Sequence, residues 1–278
     1  MRREAVGHAG LGLFSILMTI CFLAPCIVSY NPTCVSGTPF EGPSRTHWLG
    51  TNELGQDIWS RLLHGGRNSI AMALAGAAVT TLIGTLIGMA AGYFQGGVDQ
   101  VLCRLIDILM ALPVFPLIIL VAVYFSPAVH WLGMLMGALG WGPCARIIRS
   151  QSLSLTEWNF VQGARAMGAS SGYILTRYLF PFILPLSVAK LVLAVQAYLL
   201  MGVGLGFAGL GDSSDLEWGQ MLHEAYDSGA LAIGCWSLLL APVTAVVITS
   251  LSIALMSYGF ENRFDLLRSR NGRRLVVE

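Results

Sequence analysis

The chain has 278 residues, of which 55% are hydrophobic and only 11% charged, and its mean hydropathy is +0.69. Soluble domains carry roughly 25% charged residues, so an ordinary soluble enzyme is excluded and a polytopic membrane protein is the first reading. A net charge of +1 gives no reason to expect a nucleic-acid partner.

A helix needs about 20 mostly apolar residues to cross the hydrocarbon core, and six stretches are candidates. The first, 9–30, follows Arg2 and Arg3 as a signal peptide would, but its apolar run is too long and no small-x-small cleavage site follows, so a retained anchor is expected. Residues 31–69 are too long for a turn. Leu54, Ile58 and Leu62 fall at i, i+4 and i+8 there, which predicts an amphipathic helix along the outer leaflet with an Asp57–Arg61 pair. The second span, 70–94, repeats Gly84, Gly88 and Gly92 on one face, a seam for close helix packing. The third, 102–125, contains Pro113 and Pro116. The fourth, 127–145, is short and rich in Gly. The fifth, 184–207, carries Lys190, and the sixth, 231–258, has no charge.

An even number of spans puts both termini on one side. Twelve arginines (2, 3, 104, 146, 149, 165, 177, 263, 268, 270, 273 and 274) then fall on that side and only Arg45, Arg61 and Arg67 on the other. The positive-inside rule makes the first side the cytoplasm. Three regions follow: an anchor and external segment (1–69), a core transmembrane domain (70–260) with a long cytoplasmic loop at 146–183, and a basic tail (261–278) suited to anionic lipid.

The cytoplasmic loop contains "FVQGARAMGASSGYILTRYLFP", residues 160–181. Phe160, Ala164 and Met167 fall on one stripe of a short amphipathic helix, with Gln162 and Arg165 elsewhere. Gly168 and Gly172 supply a turn, and a second helical stretch ends at Pro181. This helix–turn–helix reads either as a surface helix resting on headgroups or as a knob docking in a partner's groove.

Here the sequence resembles a known family. The segment is similar to the EAA-x3-G-x9-I-x-LP signature of ABC importer permeases. Ala164, Gly168 and Pro181 match, while Gln162 replaces the acid, Gly163 the alanine, Tyr178 the isoleucine and Phe180 the leucine. "HWLGTNELGQDIWSRLLHGGRNSI", residues 47–70, resembles the HxLGTDxxGRDxxSRxxxGxRxSL block of the dipeptide, oligopeptide and nickel permease subfamily. Gly50, Thr51, Gly55, Asp57, Arg61 and Arg67 are among the matches, with Asn52 where Asp is usual and Gln56 where Arg is usual. Residues 206–222 are similar to that subfamily's SFLGLGxxxPxxEWGxML block through Glu217, Trp218 and Gly219, without the usual prolines.

The resemblance implies an all-α chain with six transmembrane helices in the type I ABC importer permease (MetI-like) fold, and a C-type subunit. It implies alternating access for small peptides or nickel-type metal complexes in a bacterial inner membrane, with both termini cytoplasmic. It further implies a second homologous permease, two cytoplasmic ATPases holding ATP and Mg, and an external solute-binding protein. ATPase coupling would fall to Glu157, Phe160, Gln162, Gly163, Ala164, Arg165, Met167, Gly168 and Pro181. No cofactor is expected on this chain itself.

The remaining polar residues are the other candidate sites. Lys190 is the only lysine and no glycine precedes it in "FPFILPLSVAK", so the phosphate loop GxxxxGK[ST] is missing; an energy source on another chain fits that. Asp107 is expected to pair with Arg104, three residues earlier on the same face. The alternative function is an ion-coupled secondary transporter using Asp107 and Lys190, against which stands the lack of an internal repeat. His47, His64, His130 and His223 lie toward the outer side without metal-site spacing. Cys21, Cys26, Cys34, Cys103, Cys144 and Cys235 read as small apolar fillers. No intramembrane catalytic motif is present.

Overall fold

The computed structural model describes residues 2–28, 30–125, 127–210 and 215–274, with side chains within 6–259. Apart from the irregular stretch between Ile27 and Ile58 it is mostly helical, and the described residues hold only a single isolated β-bridge, Thr51 to Asp57. The elements are α1 (Arg2–Phe22), α2 (Ala24–Ile27), α3 (Ile58–Phe94), α4 (Gly96–Ala111), α5 (Val114–Phe125), α6 (Val129–Gly140), α7 (Gly142–Thr156), α8 (Asn159–Ala166), α9 (Ser171–Ile174), α10 (Phe180–Phe207), α11 (Trp218–Asp227), α12 (Ala230–Ile233) and α13 (Trp236–Arg274).

Among the described residues three helices are long and apolar enough to cross a bilayer: Ile58–Phe94, the continuous run Ser171–Phe207, and Trp236–Gly259. The pair α4 and α5 makes a fourth if its 68° bend is counted as one broken span, and Val6–Phe22 and Val129–Gly140 are shorter apolar helices. The basic tail's side chains and residues 275–278 lie outside the described residues, as do Gly211, Asp212, Ser213 and Ser214 of the acidic loop.

Helix α3 is the central strut. It does not begin at residue 70 after a separate helix on the leaflet, as the sequence pattern suggests. Asp57 caps it, accepting from Ser60 N at 2.8 Å, and it runs unbroken for 37 residues, about 55 Å at 1.5 Å per residue. Leu54 lies outside it and is exposed, whereas Ile58 and Leu62 are buried. Helices α6, α7 and α10 pack along it. Where α6 crosses, a Cβ on Gly76 would press on Gly133 O at 2.6 Å. Where α7 crosses, Cβ atoms on Gly84, Gly88 and Gly92 would meet Cys144, Ala145 and Arg149 O within 2.9 Å. Only a residue without a side chain lets these backbones touch.

Two proline-marked breaks interrupt the apolar stretches. At Leu112 the backbone turns extended (ψ 134°), because a residue before proline is pushed out of the α region and Pro113 has no N–H to continue α4. The fourth apolar stretch ends at Gly140, and Pro143 opens α7 after Trp141. The second stretch of the 160–181 segment does not stop at Pro181. A π turn at Leu175–Leu179, with Phe180 N donating to Leu175 O, lets the helix pass the proline ring, and the same rod runs on to Phe207. Gly7 and Gly10 of α1 lie against Gly259 and Met256 of α13, a pairing with no local sequence signal.

Candidate functional site

The long helices α3 and α10 define two ends. Residues 30–57, 208–210 and α11 gather at one, the lobe end. The segment 157–179 gathers at the other, where Arg165 lies over the ring of Tyr93, 5.1 Å from its centroid.

At the lobe end, two sequence blocks some 150 residues apart fold onto each other. Trp218, 2% exposed, donates its indole N–H to Leu62 O at 2.9 Å and its backbone N–H to Ser69 Oγ at 3.1 Å. Asn68 Nδ2 donates to Leu216 O at 2.8 Å. Arg61 reaches Glu224 Oε2 at 2.5 Å and also donates to Gln56 Oε1. The expected Asp57–Arg61 pair is therefore not formed. Asp57 is spent on the helix start, accepting also from Ser60 Oγ at 2.5 Å and lying 3.0 Å from His47 Nδ1, while Arg61 points across to α11.

The matched glycines hold turns. Gly50 and Gly55 adopt φ of +84° and +72°, which costs any other residue, and a Cβ at either would strike a carbonyl, of Glu41 or of Gly37. Thr51 Oγ1 donates to Thr38 O at 2.5 Å and accepts from Glu41 N at 2.9 Å. The two departures from the family block, Asn52 and Gln56, are partners. Asn52 Nδ2 donates to Gln56 Oε1 at 2.9 Å, and Gln56 N donates back to Asn52 Oδ1 at 2.8 Å. A neutral amide pair thus stands where the family block has an acid and a base, and it presents an acceptor to Arg61.

Gly219 lies close enough to α10 that a Cβ would press on Val203 O at 2.6 Å. Glu217 is 5% exposed and its Oε2 has no hydrogen-bond partner among the described residues. Burial, reinforced by the Asp215 carboxylate, pushes its carboxyl up to about 8. Burial also raises Glu224, against the opposing pull of Arg61. Arg67 stacks on Phe22 at 5.8 Å.

The histidines serve this framework. His47 is buried on Asp57 and stacks on Tyr30 at 4.9 Å. His64 lies 3.0 Å from Ser60 O. His223 lies 3.1 Å from Phe207 O and 3.3 Å from Asp227, and His130 is exposed. Among the described residues no group of three or more His, Cys, Asp and Glu could hold a metal ion. The cysteines are all free, with Cys26 and Cys34 exposed.

At the knob end, α8 and α9 stand apart across Gly168, whose φ is +84°. Ala169 N donates to Ala164 O and Gly168 N to Arg165 O, closing α8 in the manner of a Schellman turn. Gly172 lies inside α9 and contributes no turn. The buried stripe is Val161 and Ala164, not Phe160, Ala164 and Met167. Phe160 is 38% exposed and Met167 83%, because α8 turns its Val161 face onto Ile148, Leu155 and Ile174. Phe160 joins an aromatic patch, stacked on Phe182 at 5.7 Å and next to Trp158 and Tyr178 at 5.6 and 5.8 Å. Gln162, Arg165 and Glu157 are exposed, Gln162 donating to Glu157 O at 3.2 Å. Gly163 faces open space. Pro181 is exposed where the helix leaves the patch.

The knob is tied back to the bundle by α7. Arg149 grips Asp99 of α4 with two bonds of 2.5 and 2.6 Å, and Arg146 meets Asp107 at 2.5 Å. Asp107 thus pairs across helices and not with Arg104, and Lys190 is half-buried in α10. The partners are 39 to 50 residues apart, so no helical spacing announces them.

Comparison with known proteins adds the following. The profile of a family described as "Binding-protein-dependent transport system inner membrane component" matches residues 84–266. The chain is 31% identical over 268 residues to a glutathione transport system permease protein of Pectobacterium atrosepticum, covering 95% of this chain and 88% of that protein. It is 30% identical to a putative peptide transport system permease protein of Brucella suis, over 95% and 88% of the two chains. It is 27% identical to a dipeptide transport system permease protein of Bacillus subtilis, over 95% and 83%.

Proposed function

Because this chain belongs to the family of inner membrane components of binding-protein-dependent transport systems, we infer that it is the membrane-spanning permease subunit of an ATP-driven importer of small peptides. The names of the relatives, for glutathione, peptides and dipeptides, favour peptides over nickel complexes as cargo. The chain acts by transport and not by bond-breaking chemistry, with ATP and Mg held by partner ATPases. Its other partners are a second homologous permease and an external solute-binding protein. It lies in a bacterial inner membrane, crossing six times with both termini and the knob on the cytoplasmic side, as the arginine asymmetry argues.

The knob carries the reading. It is a short, well-packed unit with a buried inner face, yet it leaves Met167, Phe160 and Tyr173 uncovered. A partner groove is the natural cover for such side chains. Motion imposed there passes into α10 directly, through one continuous helix, and into α4 through the Asp99–Arg149 clamp, as rigid-body motion passes between packed elements. The test is deletion of 157–181 with a short linker. The protein should still insert but lose ATPase subunits in detergent pull-down; retained binding overturns the reading. Nothing in the geometry favours the ion-coupled alternative, since Asp107 is exposed and paired with Arg146.

A further inference from the structure

A cavity of about 280 Å³ opens where the end of the first apolar stretch meets the lobe. Its walls differ in kind. Ile27 and Val28 give an apolar side, the rings of Tyr30, Trp48 and Trp59 an aromatic one, and the lining includes one cation, Arg45, and one anion, Asp57. The Trp48 and Trp59 rings lie 5.7 Å apart at 39°, and Trp48 is 66% exposed. Arg61 is paired with Glu224 and Arg67 lies over Phe22. Arg45, the third arginine of the outer segment, is exposed and has no partner among the described residues. Asp57 is 3% exposed. Its Oδ2 takes both Ser60 donors, at 2.8 and 2.5 Å, whereas Oδ1 meets only His47 Nδ1, at 3.0 Å, and keeps room for a further donor.

The packing of α1 on α13 sets the depth of this cavity. The run Trp236–Gly259 has 24 residues and no charge, about 36 Å of helix and one crossing of the bilayer. Gly7 lies against Gly259 at one end of it. Val28 is 21 residues beyond Gly7, about 31 Å further along. At the other end of the run Cys235 donates its thiol to Phe40 O of the lobe at 4.0 Å. The cavity therefore opens at the level of the lipid headgroups, where tryptophan and tyrosine gather. Below it an apolar track runs down the outside of α1 and α2. Ile16, Leu23 and Ile27 are 58, 48 and 49% exposed and share one helical face. The bonds from Leu23 N to Thr19 O and from Ile27 N to Leu23 O carry that face across the break at Leu23.

We propose that this cavity holds the headgroup of one outer-leaflet phospholipid that carries both a phosphate and a primary ammonium. Arg45 takes the phosphate. The Tyr30, Trp48 and Trp59 rings and the open side of Asp57 Oδ1 take the ammonium, and an acyl chain follows the track of Ile27, Leu23 and Ile16. A guanidinium meets a phosphate with paired, charge-assisted bonds, and an aromatic face attracts an ammonium. The presence of one cation and one anion selects the class: a purely anionic headgroup would meet Asp57, and a purely cationic ligand would meet Arg45. The volume is below the about 300–1,000 Å³ of pockets that enclose a whole drug-sized ligand, which suits a headgroup whose chains stay outside. A free peptide carries the same two charges, but the depth of the cavity and the apolar track beneath it favour the lipid. The site rests on the outward placing of the lobe proposed above and not on what the importer carries.

The experiment uses the complete importer, with partner permease and ATPases, in nanodiscs of phosphatidylglycerol. A small fraction of the lipid is phosphatidylethanolamine with a diazirine at the head of one acyl chain. After illumination, adducts are located by proteolysis and mass spectrometry. Adducts at Leu23, Ile27 or Val28 are expected, and unlabelled phosphatidylethanolamine should suppress them while leaving adducts elsewhere on the spans unchanged. Arg45→Gln and Trp48→Ala, both at exposed positions, should each lower the yield at these three residues about tenfold, the worth of one charge-assisted hydrogen bond or cation–π contact. Arg45→Lys and Trp48→Phe should keep most of it. Yields that neither unlabelled phosphatidylethanolamine nor these two truncations lower mean contact with bulk lipid only and overturn the proposal. An equal yield from a phosphatidylglycerol probe, lost alike in Arg45→Gln, makes the site one for anions and also overturns it. Suppression by a soluble tripeptide but not by phosphatidylethanolamine makes the occupant a peptide and overturns the lipid. Where a variant does not assemble, the headgroup competition in the unaltered importer decides. Nanodiscs expose both faces of the membrane, so a negative result defeats this site and leaves the importer reading standing.

Discussion

The two ends of the bundle are built by opposite means. The lobe end is held by long-range polar bonds among buried and half-buried groups: Arg61 to Glu224, Trp218 to Leu62, Asn68 to Leu216. The knob end is held by local turns and a half-exposed aromatic patch, and its outermost side chains touch little. Buried polar networks fix one arrangement because each unmade bond is costly. An apolar patch left open is complete only with a partner. The lobe therefore has the build of finished structure, and under the proposed function the knob would be half of an interface.

The largest stability effect that would sharpen this contrast is Trp218→Ala. It empties a fully buried site and removes the indole bond to Leu62 O, so a loss of about 3–5 kcal/mol is expected, read as a large drop in the temperature of unfolding in detergent. A loss below about 1 kcal/mol would mean that the lobe is not the rigid end. Next is Gln56→Arg, which sets a second guanidinium against Arg61; about 1–3 kcal/mol should be lost. Adding Asn52→Asp should restore part of it, and a double-mutant cycle without coupling would break the account of these two positions as a matched pair.

A pH profile of intermediate size is expected from Glu217. Its folded carboxyl titrates near 8, against an ordinary value of 4.5. The folded state thus holds the proton more tightly, so stability is full below about pH 4.5 and declines as pH rises through about 8. Protection factors in α11, corrected for the base-catalysed rise of exchange itself, should fall over that window and should not do so in Glu217→Gln; an unchanged profile in that variant would assign the loosening elsewhere. The smallest stability effect belongs to the knob. Met167→Ser should alter stability by less than about 0.5 kcal/mol, as exposed substitutions do, yet weaken ATPase association measurably. If it destabilises the subunit instead, the side chain is structural and the contrast between the ends fails.

Much of this was legible in the sequence because it is local or compositional. The charge-poor apolar runs give membrane helices, the glycine repeat at 84, 88 and 92 lies on the face that meets α7, and the positive φ of Gly168 ends α8 where a turn was expected. Three blocks of family resemblance lie in order along the chain, and the comparisons uphold the family they suggest. Other features were read wrongly because periodicity gives a face but not what covers it. Leu54 fits the stripe of 58 and 62 yet lies outside the helix, and Phe160 fits the stripe of Ala164 while Val161 takes the buried place. Pro181 looks like a terminus, but a π turn carries the helix past it.

What sequence alone determined here is what each short stretch can do by itself: bury itself in lipid, cap a helix, turn at a glycine, or refuse to continue at a proline. Which charges meet was decided only by the packing. Asp57 serves its own helix start and leaves Arg61 to Glu224, and Asp107 finds Arg146 in place of Arg104. The same holds for the two chain breaks, thirty residues apart, that share one cavity. Such partnerships depend on the distance between helix axes, which the glycines of α3 set, and no single stretch of chain contains that distance.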